Sequence, residues 1–93
     1  MTQELHAAIK RIETMEWCFD TVQCAMKNEP AAMHHSPVFH ALVAQLRHYY
    51  EGGQWLRDFA LDEAKLLPST LKRGVLSEDG VYDFLIDYDK MLR

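Results

Sequence analysis

Apolar residues recur at Leu5, Ala8, Ile12, Met15, Phe19, Val22 and Met26, alternating steps of three and four. That spacing draws one apolar stripe along a helix and predicts a long amphipathic first element. Thr2 supplies a side-chain oxygen suited to an N-cap, and Asn28 with Pro30 closes the segment. The opposite face carries Glu4, Lys10, Arg11, Glu13 and Glu16, which keeps it soluble. The periodicity fits both a bundle helix and an intermolecular coiled coil, so a homodimer through the N-terminal helix is one expectation.

Ala31 to His35 reads as a linker by composition. Ser36 followed by Pro37 is the cap and first-turn pair of a second helix, on which Phe39, Leu42, Leu46 and Tyr49 again step three, four, three. Gly52 and Gly53 end it, because glycine accepts the left-handed cap conformation. Trp55, Leu56, Phe59 and Leu66 predict a third, shorter helix that runs to Leu67–Pro68, where proline disfavours helical geometry in the residue before it.

Ser69 to Leu76 is expected to be an ordered loop or single turn. Ser77 is placed as the cap of a last helix whose first turn holds Glu78 and Asp79 and whose inner face is Val81, Phe84, Leu85, Tyr88 and Leu92. No stretch alternates with period two, and there is no internal repeat. The fold class is therefore all-α: a small antiparallel bundle with one long N-terminal amphipathic helix and three shorter helices, forming a single helical domain over residues 1–93.

Size and charge narrow the function classes. A chain of 93 residues holds one modest core, and 48% hydrophobic with 26% charged residues is globular composition. A net charge of −4 argues against binding nucleic acid through its phosphates. No run of apolar residues is long enough for a membrane span, and Met1 to Leu5 lacks the basic start of a secretory signal, so the expected home is the cytoplasm, without a membrane partner. Cys18 and Cys24 sit six apart on one helix, about 9 Å along its axis, which is too far for a disulfide and predicts two free thiols.

The tyrosine pair Tyr49-Tyr50, then Trp55, Asp58, Asp62-Glu63, Leu67-Pro68 and above all the run from Leu71 to Leu85, LKRGVLSEDGVYDFL, resemble a small bacterial helical family catalogued as domain of unknown function 4298. The likeness extends from the first helix to Leu92. It implies a compact helical cytosolic protein and carries over no catalytic, cofactor or metal residue. The family usually has alanine-leucine-tyrosine where this chain has Gly80, Val81 and Tyr82, and glycine at 80 is expected to weaken the helix by about 0.5–1 kcal/mol.

The residues that could carry chemistry each admit a plain structural role as well. Lys72 and Arg73 precede the last helix, and the dipole sign makes them partners of Glu78 and Asp79 in an internal latch. Asp79, Asp83 and Asp87, spaced by four, line one strip with like charges, which are either neutralised or solvated by their own fold or left to dock a basic partner. Asp58, Asp62, Glu63 and Asp83 lack the Glu-x-x-His of helical carboxylate metal centres. His34, His35 and His40, with the cysteines, lack the close ligand pairs of structural zinc sites, and adjacent histidines are expected to point apart.

Neither cysteine has an oxyanion-hole signal beside it. Trp55 is either core or a half-exposed binding anchor. The leading expectation is thus a non-catalytic module with no cofactor, contacting a protein partner through Lys72, Arg73, Asp79, Asp83, Asp87 and Trp55. The alternatives are a small metal-binding protein or enzyme using carboxylates and histidines, and a phage- or plasmid-borne inhibitor of a host machine.

Overall fold

The computed structural model describes residues 2–93, and these contain five α-helices and no strand. They are α1 (Gln3–Asn28), α2 (Pro30–His35), α3 (Pro37–Glu51), α4 (Gln54–Glu63) and α5 (Gly80–Leu92), with a single 3₁₀ turn at Gly74–Leu76 between the last two. At about 1.5 Å per residue, α1 accounts for nearly all of the 43 Å long axis, and the other two dimensions are 19 and 17 Å. The remaining elements pack along this one helix.

Two of the three expected caps form, at Thr2 and Ser36, and the third, at Ser77, does not. The Thr2 hydroxyl accepts a hydrogen bond from the Leu5 amide at 3.1 Å, and the Ser36 hydroxyl accepts from the Phe39 amide at 3.4 Å. Glu29 leaves helical geometry at φ −139°, ψ 58°, as expected of a residue preceding proline, and ends α1.

The segment expected to be a linker is instead α2. Pro30 occupies its first turn, where the missing N–H costs nothing, and the helix-favouring Ala31, Ala32 and Met33 continue it. Met33 anchors the turn in the core, with no exposed surface. Burial of one long apolar side chain offsets the short length that would leave six residues unfolded in isolation.

The α1 stripe lies inside the molecule. Ala8, Ile12, Phe19 and Val22 are buried, and Leu5, Met15 and Met26 are partly buried against the same core. Val43, Leu46 and Tyr49 of α3 and Val81, Phe84, Leu85 and Tyr88 of α5 complete it. Phe19 meets Phe84 edge-on at 6.0 Å, a favourable aromatic arrangement. The heptad surface that could have joined two chains is therefore used within one chain.

The end of α4 departs from expectation. It stops at Glu63, and Lys65 adopts the left-handed conformation at φ 59°. The Lys65 amide donates to the Asp62 carbonyl at 3.0 Å and the Leu66 amide to the Leu61 carbonyl at 3.1 Å, the paired bonds of a Schellman cap. Lysine rather than glycine holds that position, so the usual glycine stop signal is missing. Leu66 is consequently 55% exposed, outside the helix it was expected to complete, and Leu56 and Leu92 also face solvent.

At the end of α3 the left-handed residue is Gly53, at φ 95°, while Gly52 is ordinary at φ −83°.

The last helix begins at Gly80, after Ser77, Glu78 and Asp79, and neither Ser77 nor Asp79 makes a side-chain cap. A methyl group at position 80 would lie 2.4 Å from the Ser77 hydroxyl and 3.4 Å from Phe19. The expected penalty for Gly80 presumed a helix interior. At the first helical residue, with Ser77 folded over it, a Cβ would require that hydroxyl to turn away.

Candidate functional site

Three side chains from three helices meet at Asp58. Its carboxylate has no exposed surface and accepts from Arg11 Nε at 2.9 Å, Arg11 Nη2 at 2.5 Å and the Tyr49 hydroxyl at 2.7 Å. The two-pronged arginine contact is the strong form of the ion pair. Arg11 is held by its hydrogen bonds to Asp58, which raise its pKa further. The Tyr49 phenol is pushed well above its ordinary range, chiefly by burial and then by its bond to Asp58.

Such a phenol does not act as a base near neutrality, and among the described residues no cysteine, serine or threonine side chain bonds to this network. Its chemistry is that of a clasp joining α1, α3 and α4.

A second clasp closes the loop after α4. Arg73 pairs with Asp62 and also donates to the carbonyls of Pro68 at 2.5 Å and Leu71 at 3.3 Å. The basic pair therefore points back to α4 rather than forward to Glu78 and Asp79, and only Arg73 takes part. Distance in the chain did not favour the nearer acids, because the loop folds onto α4 through Val75. The Val75 amide donates to Glu16 at 2.8 Å, and the Val75 carbonyl accepts from Trp55 Nε1 at 2.8 Å. Trp55 is buried, stacked on Phe59 at 4.9 Å and edge-on to Tyr50 at 5.1 Å, so of its two expected placements it takes the core and not the half-exposed one.

The other expected contact residues fall on one face. Lys72 lines a groove with Glu13, Glu16, Trp17, Asp20 and Leu71. Asp83 and Asp87 line a second groove with Gln23, Lys27 and Phe84, farther along α1. The four positions Glu16, Asp20, Gln23 and Lys27 are spaced four, three, four, so both grooves run along one stripe of α1. Asp79 is exposed nearby, at the residue before α5.

Sequence reasoning missed Trp17, which is 61% exposed in the first groove. Its position off the heptad stripe, between Glu13, Glu16 and Asp20, was the available signal. Arg11 was missed in the other direction: it was assigned to the solvent face, yet it borders Ala8 and Met15 on the helix surface and reaches inward.

The metal candidates separate. Asp58 and Asp62 are each taken by an arginine, and among the described residues no three histidine, cysteine or acidic side chains converge as metal ligands would. The rings of His34 and His35 lie 4.6 Å apart rather than pointing away from each other. His40 Nε2 lies 3.1 Å from the Met33 carbonyl and 2.8 Å from the His34 carbonyl, at the end of α2, so that nitrogen serves as a cap. Cys18 is buried and hydrogen-bonded to the Leu42 carbonyl at 3.2 Å, burial raising its thiol pKa, whereas Cys24 is exposed; both thiols are free.

No described helix is long and apolar enough to cross a membrane. Comparison with curated proteins finds no match, and neither does comparison with solved structures. The family model described as Domain of unknown function (DUF4298) matches residues 12–93, a span that takes in α2 to α5 and most of α1, and the chain belongs to that family.

Proposed function

We propose that the chain is a non-catalytic protein-interaction module whose partner docks along the face shared by α1, the loop at residues 70–72 and the first half of α5. The observation that carries this reading is Trp17, 61% exposed within a groove instead of in the core. Large aromatic side chains left in solvent beside a concavity are the usual anchors of protein interfaces. The polar clasps at Asp58 and Asp62 support the same reading, since they commit these buried and half-buried charges to holding the scaffold together.

Affinity purification should recover the same partner with the native chain and with Leu56→Ala, which removes a comparably exposed side chain on α4. Trp17→Ala should lose that partner while its circular dichroism stays native. Equal recovery by Trp17→Ala would remove the groove from the interface.

A further inference from the structure

The partner's chemistry follows from how charges are distributed, and the inference rests on the docking face just described. The ion pairs of the fold use Arg11, Arg47 and Arg73, which engage Asp58, Glu51, Asp89 and Asp62. Among the described residues ten acidic side chains make no ion pair; Glu13, Glu16, Asp20, Asp83 and Asp87 line the two grooves and Asp79 borders them just before α5, while the other four are Glu4, Glu29, Glu63 and Glu78. Lys27 and Lys72 line the same grooves without pairing to them.

We infer that this face takes a basic, arginine-bearing segment of a partner protein, with a guanidinium against Trp17 and further cations along Asp20, Asp83 and Asp87. From Glu13 to Lys27 the stripe measures about 21 Å, the reach of roughly six or seven extended residues. An indole face flanked by carboxylates favours guanidinium, which is planar, weakly hydrated and stacks on aromatic rings. The same carboxylates repel nucleic acid and anionic lipid.

The experiment titrates the full chain with a peptide of eight arginines, reading the tryptophan fluorescence of Trp17 against the buried Trp55, with peptides of eight lysines and eight glutamates alongside. The arginine peptide should bind most tightly, weaken with salt and change the fluorescence. The double variant Asp20→Lys, Asp83→Lys should weaken it about tenfold. Trp17→Ala should cost about two- to fivefold. The variant Glu51→Lys, Glu63→Lys carries the same net charge and should bind nearly as the native chain does.

Equal loss in both charge variants would mean attraction to net charge alone and would overturn the inference, as would preference for the glutamate peptide. If Trp17→Ala loses the natural partner while arginine binding ignores the groove variants, the docking face stands and its basic occupant falls. If neither measurement depends on Trp17, both fall.

Discussion

Two acidic strips with the same spacing meet opposite ends in this molecule. Asp58 and Asp62 stand four apart on α4, and Asp83 and Asp87 stand four apart on α5. The α4 pair is drawn inward, each carboxylate clasped by an arginine from elsewhere in the chain, while the α5 pair faces a groove and makes no ion pair among the described residues. Spacing fixes which acids share a face. Which face becomes structural depends on where three-dimensional folding delivers the arginines, Arg11 from 47 residues away and Arg73 from 11.

The contrast can be broken by substitution. Asp58→Ala strands the Arg11 guanidinium and the Tyr49 hydroxyl around a small void and should cost about 3–5 kcal/mol in urea unfolding. Arg73→Ala removes an ion pair and two carbonyl contacts at a half-buried site, for a loss of about 2 kcal/mol by the same measurement.

Tyr49→Phe deletes one donor to a carboxylate that keeps its arginine, and about 1–2 kcal/mol should go. Its pH signature is distinctive. The folded chain holds the phenol protonated above the ordinary value of 10.0, so this contribution is whole below that pH and is lost as pH rises beyond it. Stability measured above pH 10 should therefore fall less steeply in Tyr49→Phe than in the native chain. At the far end of the scale, Asp87→Asn should change stability by only a few tenths of a kcal/mol, with the sign toward gain as repulsion from Asp83 is relieved. A loss comparable to that of Arg73→Ala would place Asp87 in the scaffold after all.

These strips also show how far sequence reaches. Helix faces follow from periodicity, because burying an apolar stripe constrains every third or fourth position, and Ile12, Phe19, Leu46 and Phe84 lie where that pattern puts them. Stops marked by glycine or proline were legible for α1 and α3. The stop at Lys65 was not, since its cap conformation is imposed by the backbone bonds of Leu61 and Asp62 on a residue that does not advertise it. Nor was the helix at α2, whose stability comes from where Met33 lands.

The candidate site was half legible. Lys72, Asp83 and Asp87 do line the grooved face, but Trp55 belongs to the core and the half-buried Arg73 turns back to α4, because long-range contacts through Val75 draw the loop inward. Trp17 went unnoticed because a lone aromatic on a helix resembles core until neighbouring elements show that nothing covers it.

Val75 has a bearing on how the chain assembles. Its amide and carbonyl are both satisfied by side chains, from Glu16 59 positions earlier and Trp55 20 positions earlier. A turn whose backbone partners come from two separate helices has little to gain by ordering before α1 and α4 have met, so the loop should close late in folding. In hydrogen exchange the Val75 amide should be slow, its protection reporting the docking of the loop onto α1, a helix to which it does not belong.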